Sequence, residues 1–164
     1  NMTLLEDVTT HCYTAPEGLF SSKQYDEAID MWSVGCILAE LMGRKILFPA
    51  KDRLSQIQLI ISIQGTPSQE EIDNLIRNSM VREFVSKLPK YDKVPFKTLY
   101  PHADPRAIDM LERMLAFDPK KRLTVAEAIS HPFLEDLHDP QDEPVCTQKF
   151  EEVDIKNPTK EKWR

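Results

Sequence analysis

Residues 25–42 read YDEAIDMWSVGCILAELM, and the fold turns on where this run sits. From Ala28 to Met42 its apolar residues occupy every face of a 3.6-residue repeat instead of forming one stripe. A helix that is apolar all round belongs inside a domain, with other helices around it. The run therefore predicts a central buried helix, with Gly43 as its stop. Asp30 is a carboxylate within this most apolar helix. Buried, it needs several hydrogen-bond donors; the alternative is an exposed first-turn aspartate favoured by the helix dipole.

Outward from this run the chain keeps reading as helix and loop. The first 25 residues carry Pro16, Gly18 and Ser21–Ser22 without sustained periodicity, and read as loop. After a turn around Pro49, LSQIQLIISIQ predicts a helix stopped by Gly65, with Pro67 beyond. Ser68 and Glu71 stand at capping-box spacing, which starts a helix at Gln69. From Asn78 to Pro101, with Pro89 and Pro95, short helices alternate with loop. Asp104–Pro105 reads as an N-cap with proline at the first helical position. Ala107, Ile108, Leu111, Met114 and Leu115 then form one stripe, predicting a helix that ends near Phe117. Thr124 and Glu127 make a second capping box, opening a short helix closed by His131–Pro132. From Glu135 the tail is polar and proline-interrupted, and reads as extended over the surface. No repeat and no convincing strand is visible, so the chain reads as mainly α.

Composition narrows the function classes. The 164 residues carry a net charge of -6, which argues against a dedicated nucleic-acid binder. The apolar runs are too short to span a bilayer, so no membrane partner is expected. No secretory signal opens the chain. Cys12, Cys36 and Cys146 form no CxxC and no paired set, which fits a reducing compartment. The four histidines show no metal-ligand spacing, and no metal site is expected. Cys36 reads as a small buried hydrophobe, while Cys12, in a loop, is a candidate reactive thiol. Asn1 and the terminal KEKWR look arbitrary as boundaries, so the chain is expected to be part of something longer.

Four segments, in this order and spacing, resemble the C-terminal lobe of a eukaryotic protein kinase: APE at 15–17, DMWSVGCILAELM at 30–42, FDPKKRLT at 117–124 and HPFL at 131–134. GCILAELMGRKILFPAKD, IQGTPSQEE and KLPKYDKVPFKTLYPHADPRAIDMLERMLAFDPKKRLTVAEAISHPFLEDLHDPQDEP narrow this to mitogen-activated protein kinases. The resemblance covers nearly the whole chain. It implies a fold that is the C-terminal helical lobe of an incomplete kinase domain. Residues 1–25 would be the end of the activation segment and the P+1 loop. Residues 26–134 would be lobe helices, with an insert around 69–101. Residues 135–164 would be a C-terminal extension with an acidic docking site.

The implied activity is transfer of the γ-phosphoryl of ATP, with Mg2+, to Ser/Thr of protein substrates in signalling, in the cytoplasm and/or nucleus. No GxGxxG, HRD or DFG occurs in the chain. Its catalytic base and metal ligands would lie upstream, and the fragment alone is expected to be inactive and to bind neither ATP nor Mg2+.

Site residues follow by the same resemblance. Thr10 and Asp30 would support the catalytic loop. Glu17 and Arg122 would pair as a buried bridge, the alternative being two unrelated surface charges. Val8, Thr9, Thr10, His11, Tyr13 and Thr14 would form the P+1 loop. Asp139 and Asp142, with charge added by Glu143, would receive basic docking motifs of substrates, upstream kinases and phosphatases; the alternative is a solvated acidic tail. Leu19, Phe20, Leu54 and Ile57 match a second recruitment pocket, although Arg53 replaces an aromatic residue there and core packing is the plainer role for Leu54 and Ile57.

The stretch LEDVTTHCYTAPE (5–17) departs from the family. Leu5 and Asp7 stand at the two switch positions, and His11 and Thr14 replace the arginines that hold a phosphotyrosine. A phosphate brings about -1.5 to -2 charges held by arginine forks, so the usual dual switch is expected to be absent. Thr3, Thr9 and Thr10 remain phosphorylatable. Thr14 also removes the arginine that favours proline after the target residue. This erosion keeps a second reading open: a pseudokinase or truncated docking module without catalysis.

Overall fold

The structure is a computed structural model and describes residues 11–20 and 26–143. Its α-helices are α1 (Pro16–Leu19), α2 (Glu27–Gly43), α3 (Arg53–Gln64), α4 (Gln69–Leu75), α5 (Ser79–Lys87), α6 (Phe96–Leu99), α7 (Pro105–Met114) and α8 (Val125–Ile129). Short 3-10 turns at Pro119–Lys121 and Pro132–Leu134 flank α8. Among the described residues there is no strand.

Most helix starts are fixed by local side chains. Both sequence-read capping boxes form: Ser68 and Glu71 exchange bonds at α4, and Thr124 and Glu127 at α8. Asp52 and Ser55 do the same at α3. Asp104 accepts from the Arg106 N–H at 2.7 Å, with Pro105 at the first helical position. Each such cap satisfies backbone donors that the first turn leaves unpaired.

The chain differs from the sequence reading in several places. PEGL forms a helical turn within the expected loop. The last residue of α2 is Gly43, and Arg44 adopts the left-handed conformation at φ 53° instead. Glycine at 43 serves space: a Cβ there would stand 2.8 Å from Cε1 of Tyr100. Helix α7 ends at Met114 rather than near Phe117. The Arg113 carbonyl is taken by the Leu123 N–H, and the Ala116 carbonyl by the Arg122 side chain.

Helix α2 is the axis of the packing. Trp32, Cys36 and Ala39 enter a core with Phe48, Ile57, Ile60, Ile61, Phe96, Leu111 and Leu115. Trp32 is fully buried and stacks on Phe48, ring centroids 5.8 Å apart. Met31 faces a second cluster with Met110, Met114, Leu123 and Ala128. Helix α7 crosses α2 at Gly35, where a Cβ would meet Leu115 Cδ2 at 2.8 Å and Met114 Cβ at 3.0 Å.

The expectation of all-round burial fails on one face. Val34, Ile37 and Leu41 are 45%, 49% and 74% exposed, and Asp30 lies exposed in the same line. Positions 30, 34, 37 and 41 share one side of a helix, and no described element covers it.

Candidate functional site

The segment 11–20 is fastened to the helices by side chains from three directions. The deepest contact is an ion pair. Glu17 is buried at the start of α1, and Arg122 is buried between the Pro119–Lys121 turn and α8. Arg122 Nη1 donates to Glu17 Oε1 at 2.7 Å and Nη2 to Oε2 at 3.1 Å, a two-pronged arrangement that suits a planar guanidinium. The remaining N–H groups reach the Ala116 carbonyl, through Nε and Nη2, and the Ala28 carbonyl. The guanidinium carbon also stands 5.2 Å from the centre of the Trp32 ring, within cation–π range.

The turn at 11–14 is closed by the Thr14 N–H donating to the His11 carbonyl at 3.1 Å. From α2, the Tyr13 hydroxyl donates to Glu40 Oε2 at 2.7 Å, and Ser33 Oγ donates to the Tyr13 carbonyl at 3.0 Å. The bond to the Glu40 carboxylate, then burial, pushes the Tyr13 phenol up to about 12. From α3, Gln56 Nε2 donates to the Cys12 carbonyl at 3.4 Å, and Arg53 Nε donates to the Leu19 carbonyl. Cys12, the candidate reactive thiol, is 2% exposed, with its thiol near the Ala50 carbonyl, and is therefore shielded from solvent. Burial raises the Cys36 thiol to about 12.

Glu40, Ser33 and Gln56 were not singled out by sequence reasoning. The available signal was a polar residue on a buried helical face: Gln56 shares its face with Ile60, and Glu40 interrupts the run CILAELM.

The other sequence-read positions are placed as follows. Val8, Thr9 and Thr10, like Leu5 and Asp7, lie outside the described residues. Asp30 is exposed at the rim of a groove of about 710 Å3 between the start of α2 and residues 119–125, and no described residue bonds its carboxylate. The buried, donor-rich surroundings expected of it are therefore not supplied by the described chain. Leu19, Phe20 and Ile57 are at most 2% exposed and belong to the core, whereas Leu54 is 45% exposed. These residues do not line an open pocket together. Leu54 faces solvent because it follows the Asp52 cap on the outer side of α3, so core packing holds for Ile57 and not for Leu54.

At the start of the tail, Arg106 on α7 holds Glu135 and the Pro132 carbonyl. Beyond it Asp139 and Asp142 are exposed on a tight turn. Asp139 Oδ1 accepts the Gln141 N–H at 3.0 Å. Glu143 is turned onto this same turn: its Oε1 lies 2.9 Å from His138 Nδ1 and accepts the Asp139 N–H at 3.2 Å. The outward charges are those of Asp139 and Asp142, with Glu143 engaged internally.

The sequence has no glycine-rich phosphate loop, and among the described residues no group of three or more His, Cys, Asp or Glu could hold a metal ion. Among the described residues, no helix is long and apolar enough to cross a membrane.

A helical lobe whose APE segment is bolted to a distant arginine defines a class, and the protein kinase domain matches residues 2–134: the chain belongs to the protein kinase family. Its relatives within that family are mitogen-activated protein kinases. It is 54% identical over 147 residues to Extracellular signal-regulated kinase 1 of Dictyostelium discoideum, covering 90% of this chain and 28% of that protein. It is 49% identical to Mitogen-activated protein kinase SLT2/MPK1 of Saccharomyces cerevisiae, covering 90% and 30%. It is 45% identical to Mitogen-activated protein kinase mpk-1 of Caenorhabditis elegans, covering 98% and 36%. The chain thus spans about a third of the length of these relatives.

Proposed function

We propose that the chain is the C-terminal lobe portion of an ATP- and Mg2+-dependent Ser/Thr protein kinase of mitogen-activated type, and that it positions and recruits protein substrates. The buried Glu17–Arg122 pair carries this reading. It anchors the end of the segment that the resemblance assigns to substrate reading, leaving His11, Tyr13 and Thr14 on the adjoining turn. The open face of α2 supports it as well. Fully burying an exposed side chain of this kind contributes roughly 1.5–3 kcal/mol; Val34 and Ile37, already about half buried, would gain about half of that and Leu41 more, and the upstream part of the kinase would supply the cover, with Asp30 and Thr10 supporting the catalytic loop. The fragment by itself would be inactive.

Asp139 and Asp142 would pair with Lys/Arg of docking motifs on substrates, upstream kinases and phosphatases. The protein would act in the cytoplasm and/or nucleus. The second reading, a docking module without catalysis, is favoured by Leu5, Asp7, His11 and Thr14, which remove the residues of the usual switch.

The test uses the full-length protein, labelled ATP and Ser/Thr peptides with and without a basic docking stretch. Transfer that is favoured by the docking stretch, with the preference lost in Asp139→Asn/Asp142→Asn, supports the kinase reading. Capture of the basic peptide without transfer supports the second. Equal handling of both peptides by wild type and variant at low salt refutes the docking role.

A further inference from the structure

The middle of the 11–14 turn is held in a way that the ion pair and Tyr13 do not explain. Two consecutive carbonyls, of Cys12 and Tyr13, are gripped from different helices: the first by Gln56 Nε2 on α3, the second by Ser33 Oγ on α2. Fixing both orients the two peptide planes that lead into Thr14. Gln56 is fully buried, and its Oε1 has no partner among the described residues. A buried acceptor without a partner opposes folding. A methionine of similar volume would fill the same buried space, on the helix face of Ile60, without that cost. The amide at position 56 is therefore not accounted for by packing; the one side-chain bond it makes among the described residues is to the turn.

We infer that Gln56 is a positioning residue that, with Ser33, fixes the Cys12–Tyr13 backbone and so sets which residue is accepted after the phosphoacceptor. This rests on the kinase reading above. The arginine that makes this choice in the resembled family is replaced by Thr14, so the set of the backbone carries more of the discrimination here.

The experiment compares the full-length wild-type protein with Gln56→Met, Ser33→Ala and Ser33→Thr. Peptides vary only at the residue after the target Ser/Thr. Peptide KM, ATP KM, kcat and thermal midpoint are measured for each. Loss of one neutral hydrogen bond predicts that Gln56→Met raises peptide KM about three- to tenfold and flattens the preference among peptides. ATP KM stays unchanged and kcat stays within about twofold on the same scale, while the midpoint shifts little, because the orphaned Oε1 is removed as the Cys12 carbonyl loses its donor. Ser33→Ala behaves alike, and Ser33→Thr, which keeps a hydroxyl, restores the preference. An active wild type whose peptide KM and preference are unmoved by both Gln56→Met and Ser33→Ala overturns the inference. So does a rise of peptide KM and ATP KM together with a fall in midpoint, which marks a structural role only. If the wild type transfers no phosphate, the kinase reading itself fails and takes this inference with it.

Discussion

Replacing Arg122 with methionine should be among the most damaging single changes in the chain, and the structure says why it should exceed the loss of its partner. Glu17 and Arg122 have side chains only 5% and 0% exposed. Arg122→Met leaves the Glu17 carboxylate buried without a cation, which typically costs about 3–5 kcal/mol. It also strips donors from the Ala28 and Ala116 carbonyls. Glu17→Gln also leaves a buried charge without its counter-ion, but it keeps the shape and leaves the guanidinium its bonds to the Ala28 and Ala116 carbonyls, so its cost should fall at the low end of that range, about 3 kcal/mol. Native stability is only about 5–15 kcal/mol, so the first change consumes a large share of it. The double variant buries no carboxylate and should lose less than the sum of the singles by about 1–3 kcal/mol. Urea unfolding of the intact protein, followed by circular dichroism, gives all three values. Costs below about 1 kcal/mol, as for a surface pair, or strict additivity, or Glu17→Gln exceeding Arg122→Met, would refute the reasoning.

Gly35→Ala places a methyl against Leu115 and Met114 at the α2–α7 crossing and should cost about 1–3 kcal/mol by overpacking, read in the same assay. Glu40→Gln removes the charged acceptor that does most to raise Tyr13; in a phenolate absorbance titration one tyrosine should move down from about 12, while Tyr100, raised by burial, stays high. Bonds from Ser55, from the Arg106 side chain and backbone, and from Thr124 lower the carboxyls of Asp52, Asp104 and Glu127. Folded values below the unfolded ones mean that the caps contribute fully above the ordinary carboxylate range near pH 4 and lose that contribution as pH falls through the folded values. Asp52→Asn/Asp104→Asn/Glu127→Gln should therefore flatten the acid limb of a stability–pH curve; an unchanged limb would count against the caps.

What the sequence made legible was local or carried by family resemblance. The capping boxes at Ser68–Glu71 and Thr124–Glu127 could be read because donor and acceptor lie three residues apart. The stripe of α7 was readable from its period, but its end was not, since the Ala116 carbonyl leaves the helix for a side chain on Arg122. The Glu17–Arg122 contact spans 105 positions and no period announces it; only the APE and FDPKKRLT segments pointed there. Gln56 and Glu40 were passed over because their partners, Cys12 and Tyr13, are far away in sequence and polar residues in apolar runs are common. Asp30 shows the opposite limit. Its burial depends on what covers α2, and that is a property of the surroundings rather than of the helix.

The most direct measurement is phosphoryl transfer from labelled ATP to Ser/Thr peptides, run side by side on the full-length protein and on residues 1–164 alone. The account predicts Mg2+-dependent transfer by the full-length protein and none by the 164-residue chain. Transfer by the chain alone, or none by the full-length protein, would contradict it.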